Sequence, residues 1–319
     1  GSYVDTMKEL LARQNPLYGR IDLTLNLKPM DYYESSMFYA GFSDEDKVRI
    51  YSVFGGIPYY NRLIDEKKSV RENIIDLIAS PGARLENEVS MYLNSEISKI
   101  TNANEVFEAL SKGFSRYKDI LDQSNVSSGP ALVDILDKLI RMDVVAKEAP
   151  INDENNRKKS GYFISDNLSL FYYKYIFRNI SRMNIMDSEV FYEKYISEDF
   201  ETKYVPKIFE DVCRQYLIRK NRMGCMDEIF EKIGKYYYDD PVERKNGEFD
   251  IVTLDDKGYI FYEAKFRKEP VTEQMIEKEI AQVKQTGLEC YKYGFFSKSG
   301  FACEEREKCS LIELKELYR

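Results

Sequence analysis

The stretch 246–268, NGEFDIVTLDDKGYIFYEAKFRK, most constrains what this chain can fold into, because it reads as two strands joined by a turn. Strand side chains alternate faces, so Glu263 and Lys265 point one way while Tyr262, Ala264 and Phe266 point the other. By the same rule Asp250, Val252 and Leu254 share a face of the first strand. The DDKG sequence between them has the residue types that turn a chain back on itself. If the strands pair, a carboxylate from each meets beside one ammonium. Such a cluster suits a hard divalent cation and a water held for attack on phosphate.

Composition narrows the chemistry further. The chain has no histidine, which removes Ser-His-Asp and Cys-His catalysis, histidine-ligated metalloproteases and any nuclease with a histidine base. Chemistry must rest on carboxylates, Lys, Tyr, Cys or a metal held by oxygen ligands. The five cysteines form no C-x-x-C pair, which fits reduced thiols in a cytoplasm. No apolar run approaches the ~20 residues of a membrane span, and the start lacks the regions of a signal peptide. Gly1-Ser2 reads as a cloning remnant and the chain as a fragment. A formal net charge of −8 gives no global basic footprint for nucleic acid, so DNA contact must rest on a local patch.

Along the chain, residues 7–12 read as helix and 21–27 as a half-buried strand with Ile21, Leu23, Leu25 and Leu27 on one face. A helical region follows to about residue 100, interrupted by the loop FGGIP at 54–58, with four-residue apolar spacing at Leu85, Val89, Leu93 and Ile97. Residues 104–165 carry helices at 104–111, 117–122 and 131–142, then two short strands around a polar connection, 152–160. Three small helices and a hairpin make a winged helix-turn-helix, with the polar connection as its wing. Arg157, Lys158 and Lys159 can touch phosphates from there. The third helix presents Asp134, Asp137, Lys138 and Arg141, a mixed set that does not look like a groove reader, so a packing module is the competing reading. The aromatic run FYYKYIFR, within 166–197, suggests a buried interdomain helix rather than a base-stacking platform.

In the last 120 residues a helix over 205–220 places Glu210 at the border of its apolar face and Asp211 toward solvent. The two motif strands follow, then a helix over 272–285 containing Gln282, a strand over 291–296 and a final segment, 309–318. That order describes a small α/β domain. Singly, each charged residue is an ordinary solvated side chain. The ordered set carries the functional reading.

With these residues in view, the C-terminal part resembles the PD-(D/E)XK nuclease-like superfamily. The carrying features are Glu210 on a helix, Asp250, Glu263 and Lys265 of E-A-K thirteen residues later, and Gln282 on the next helix. The literal Pro-Asp pair is absent, since Phe249 precedes Asp250. The whole chain also looks like the C-terminal portion of a prokaryotic AAA-like, signal-transduction ATPase with a DUF234-like domain, through NPLYGR, FGGIPYY, FEDVCRQYL and FSKSGF. The expected fold is therefore multidomain α plus α/β. It comprises the end of an ATPase core (1–30), a helical lid region (31–103), a winged helix (104–165), an aromatic helical linker (166–200) and a nuclease-like domain (201–319).

The resemblance implies Mg²⁺ or Mn²⁺ held by Asp250, Glu263 and Glu210, with the Ala264 carbonyl as a further ligand. Lys265 would orient the attacking water, and Gln282 would assist positioning. It implies DNA as substrate, self-association or association with an ATPase core, and a nucleotide-sensing role for Arg20. No P-loop motif occurs in the chain, so ATP enters only if a P-loop domain is supplied elsewhere. The alternatives are an inactive nuclease-fold module that docks to or regulates an ATPase, and a winged-helix DNA-binding regulator.

Overall fold

The computed structural model describes residues 27–89, 102–156, 158–240, 245–304 and 306–319, together with 14, 15, 20, 22, 23, 25 and 91. The helix expected at 7–12 and, of the apolar spacing at 85–100, Leu93 and Ile97 lie outside the described residues, as does Arg157, while Leu85 and Val89 are buried. The segment expected as a half-buried strand at 21–27 is different from that reading where it is described. Leu23, Leu25 and Leu27 are 73, 72 and 87% exposed, and none of the described strands pairs with them. Half-burial of an alternating segment needs a neighbouring strand to complete the sheet.

The N-terminal body is helical: α1 (Tyr32–Ser36), α2 (Asp44–Phe54), α3 (Pro58–Asn61) and α4 (Val70–Leu77). Helix α4 starts at a capping box, in which Ser69 and Glu72 satisfy each other's free backbone donors. The FGGIP loop joins α2 to α3 and lies against the segment before α1, where Met30 N–H donates to Gly56 O at 2.9 Å. A Cβ on Gly56 would sit 2.0 Å from the Met30 carbonyl oxygen, which is backbone and cannot rotate away. We therefore expect Gly56→Ala to destabilise the protein by about 1–3 kcal/mol, read as a lower denaturation midpoint with unchanged slope.

Three helices come next, α5 (Ala103–Ser111), α6 (Tyr117–Gln123) and α7 (Gly129–Arg141), followed by the antiparallel pair β1 (Val145–Glu148) and β2 (Gly161–Ile164). Leu132, Ile135, Leu136 and Leu139 form the buried stripe of α7, at the spacing that puts residues on one helix face. The polar connection between β1 and β2 is largely exposed, with Asn152, Glu154, Asn155 and Lys158 open to solvent, but it is not free at its base. It is pinned to the next sheet: Ile151 N–H donates to Lys235 O at 2.8 Å, and the Asn152 amide exchanges two hydrogen bonds with the Tyr237 backbone, at 2.8 and 3.0 Å.

Helical turns α8 (Asn167–Phe171), α9 (Ile180–Met183) and α10 (Ser188–Tyr192), with π-helical turns following α8 and α10, bury Phe171, Tyr172, Tyr173 and Tyr175. These rings tile against one another and against Phe107, Phe200 and Tyr204, so the aromatic run is core. The chain then enters α11 (Val205–Arg222), whose buried Val205, Phe209, Val212, Cys213 and Leu217 face the sheet and α2.

The sheet has the order β3 (Lys232–Asp240), β4 (Lys245–Asp255), β5 (Gly258–Lys265), β7 (Cys290–Ser297), β9 (Cys309–Glu313). The first three strands form an antiparallel meander. β7 and β9 join in parallel, after α12 (Glu273–Gln285) crosses over one face. A short parallel pair, β6 (Val271–Thr272) with β8 (Phe301–Ala302), flanks the crossover. At the β4–β5 turn Asp255 accepts from Lys257 N–H and Gly258 N–H at 2.8 and 3.1 Å, and Gly258 takes φ +130°. Alternation divides the two cores. Ile260, Tyr262 and Phe296 pack toward α11 and the helical body, while Val252, Phe261 and Phe295 pack under α12 with Ile276 and Val283. The architecture is mixed α/β. Among the described residues no helix is long and apolar enough to cross a membrane.

Candidate functional site

Strict alternation would put Asp250 on the face of Val252, under α12. The structure corrects that reading. Gly234 pairs with Val252 and Tyr236 with Phe249, so Asp250 and Ile251 together oppose the single residue Lys235. This is a β-bulge, and a bulge re-aims a side chain. It leaves Phe249 and Val252 in the α12 core, sends Ile251 into the other core, and turns the Asp250 carboxylate to α11.

On α11 the residues Lys207, Glu210 and Arg214 follow one stripe beside the apolar face, at three- and four-residue spacing. Lys207 Nζ lies 2.6 Å from Glu210 Oε2 and 2.8 Å from Asp250 Oδ1. One ammonium therefore joins the two carboxylates. Lys235 adds a second cation to Asp250 at 3.3 Å and contacts Glu248 at 2.6 Å. Asp211, expected toward solvent, keeps 39% of its side chain exposed while it accepts from Gln215 at 2.6 Å and Arg214 at 2.9 Å, and Arg214 continues to Glu148 of β1 at 2.7 Å.

Glu263 and Lys265 form a neighbouring group. Lys265 Nζ is 2.6 Å from Glu263 and 2.9 Å from Glu279 of α12. Gln282, one turn beyond Glu279, is exposed and reaches Tyr238 instead. Glu279 is thus the α12 residue that meets the cluster. Among the described residues no group of three acids gathers closely enough to share one metal ion. Arg20 is exposed, and Lys158 and Lys159 lie at a separate cleft.

The acids nonetheless feel one another. Burial, then the charge of Asp250, push the Glu210 carboxyl up to about 7, with Lys207 opposing and Glu263 adding to the rise. Burial also acts to raise Asp250, but the ammoniums of Lys207 and Lys235 outweigh it and hold that carboxyl below its usual range. Glu263 is raised by burial, against Lys265, with Glu279 and Asp250 contributing. Burial would lower Lys265, yet its two glutamate partners raise it, so it stays an ammonium.

A pH dependence follows from Glu210. Between about pH 4.5 and 7 the folded protein holds a proton on Glu210 that the unfolded chain has lost, so stability from this group falls as pH rises through that window. Glu210→Gln is expected to flatten the dependence there by about 1–2 kcal/mol, measured by urea unfolding at a series of pH values. An unaltered slope in the variant would assign the window to other groups.

The residues missed from sequence, Lys207, Lys235 and Glu279, left a partial signal. Lys207 and Glu279 are on the helices that carry Glu210 and Gln282, three residues away in each case. The bulge had no such signal.

The fold defines a mixed α/β protein whose five-stranded sheet carries this charged cluster. Residues 172–282 match a family model, DUF234, described as "Archaea bacterial proteins of unknown function". That span runs from the aromatic helical turns through α11 and the motif strands to Gln282 of α12. The chain is 27% identical to an uncharacterized protein of Methanocaldococcus jannaschii over 323 residues, covering 99% of this chain and 70% of the relative. Among solved structures it is similar to protein VC1899 from Vibrio cholerae, with 10% identity and a TM-score of 0.24, covering 78% of this chain and 58% of that one.

Proposed function

We propose that residues 201–319 form a PD-(D/E)XK-type module that hydrolyses phosphodiester bonds of DNA with a divalent cation. The observation that carries this reading is the bulge, which aims Asp250 at Glu210 so that one cation, the Lys207 ammonium, touches both carboxylates. Two carboxylates, with the remaining positions left to water and substrate phosphate, are what Mg²⁺ takes in phosphoryl-transfer sites. The donor set fits such an ion held by Glu210 and Asp250. When bound, it would polarise the phosphate and acidify a water. Lys207, half exposed at the start of α11, can swing aside. Lys265 supplies a fixed positive charge to offset the charge that develops on phosphate. Residues 104–165 act in this reading as a winged-helix platform, and an ATPase core remains a proposed partner.

A second reading is favoured by the ion pairing itself. Glu210, Asp250 and Glu263 each already have an ammonium within 2.8 Å. A charge-compensated network of this kind also suits a nuclease-type fold kept for docking or regulation. Incubation of the protein with plasmid and linear DNA in Mg²⁺ or Mn²⁺, beside calorimetric titration with Mn²⁺ alone, separates the two. Cleavage with micromolar to millimolar Mn²⁺ binding supports the enzyme. Absence of both leaves the docking module.

A further inference from the structure

A cavity of about 500 Å³ opens between the β1–β2 connection and the β3–β4 hairpin. Arg116, Lys158 and Lys159 line it, together with Tyr237, and Glu248 is its one acidic residue. In a chain of net charge −8, three cations converging on one concave surface depart from the average. The walls are held together by the bonds that pin the connection to β3, and by Arg116 to Glu248 at 2.5 Å. The cavity therefore exists before any ligand arrives.

Its chemistry is graded. The Lys158 side chain is exposed and makes no ion pair among those described, so its charge is free for a ligand. Lys159 is paired with Asp153 at 3.0 Å and lies over the Tyr237 ring, 3.9 Å from the centroid. Moving that ammonium onto a phosphate uncovers an aromatic face, and base-on-aromatic stacking tolerates any base. Glu248 also ties the cavity to the acidic cluster. Lys235 bridges Glu248 to Asp250, so one lysine separates the cavity wall from the carboxylate pair.

We propose that this cleft binds single-stranded nucleic acid and leads it toward Asp250, an inference that rests on the phosphodiesterase reading. Lys158 and Lys159 would contact backbone phosphates, Tyr237 would stack a base, and Arg116 would brace the wall through Glu248. A single strand fits better than a duplex, because a cavity this size admits one or two unstacked nucleotides and no double helix.

The test is fluorescence anisotropy with a labelled thymidine oligonucleotide of about 12 nucleotides, in EDTA and low salt. The double change Lys158→Glu with Lys159→Glu should weaken binding at least tenfold and reduce the salt dependence by about one to two in log–log slope. Tyr237→Ala should weaken it several-fold, with circular dichroism and melting confirming that each variant folds. A duplex of the same sequence should compete poorly, and thymidine monophosphate only at far higher concentration. Binding unchanged in the double variant overturns the proposal. So does equal competition by duplex, or by the mononucleotide, which would make the cleft a small-molecule pocket. The two readings fail separately. Oligonucleotide binding that depends on the lysines, without cleavage in Mn²⁺, removes the nuclease and leaves the cleft. Cleavage with binding indifferent to these residues does the reverse.

Discussion

Lys207→Ala is expected to bind Mn²⁺ about tenfold more tightly than the parent protein. The ammonium stands 2.6 and 2.8 Å from the carboxylates proposed to hold the ion, so a divalent cation must first displace it. At the dielectric of a partly exposed site, two unit charges at this range attract by a few kcal/mol before screening. Lys207 is 56% exposed, so water and salt remove much of that attraction. A residue of about 1.4 kcal/mol is enough for a factor of ten. The gain should grow above about pH 7, where Glu210 has lost its proton, and shrink below it. Without metal the variant should be about 1 kcal/mol less stable, because two carboxylates lose a shared partner, and added Mn²⁺ should restore the loss. Asp250→Asn should not bind in the same titration. Weaker binding in Lys207→Ala would instead mark the lysine as a structural partner and the acids as an ion-pair network.

How much of this was legible beforehand differs between elements for physical reasons. The three helices and hairpin of 104–165 fall close to their expected bounds, because Leu132, Ile135, Leu136 and Leu139 repeat at helical spacing and Ser128 caps the run. The DDKG turn and the second motif strand also fall within a residue or two of expectation, since alternation and turn residues are local signals, whereas the first strand, expected to open at Asp250, begins at Lys245. Register is another matter. Alternation along β4 puts Asp250 on the face of Val252, and the bulge opposite Lys235 reverses it. A bulge arises from how β4 pairs with β3, a long-range fact that no single strand displays. The same holds for Glu279 over Gln282: helix periodicity fixes a face, but the depth of α12 over the sheet decides which turn reaches Lys265. The polar connection shows the limit most plainly. Its composition, NDENNRKKS, reads as solvated, yet Asn152 spends both ends of its amide on the Tyr237 backbone.

Lys265→Gln is expected to lower the rate of DNA cleavage by about 100-fold or more while leaving Mn²⁺ affinity within a few-fold of the parent value. Lys265 touches neither carboxylate of the Lys207 group. It sits between Glu263 and Glu279, at 2.6 and 2.9 Å, so its charge is held in place rather than at the ion's position. Loss of a fixed cation near developing phosphate charge should act on turnover more than on substrate binding. Structure complicates the comparison, because removing Lys265 also strands two half-buried glutamates, at a cost of about 1–3 kcal/mol. The double change Lys265→Gln with Glu279→Gln separates the effects, since it removes one of the two stranded charges without restoring the cation. Stability should recover in part in the double variant and cleavage should not. If both recover together, Lys265 serves as an ion-pair partner, and the proposed chemistry loses the group that neutralises the phosphate.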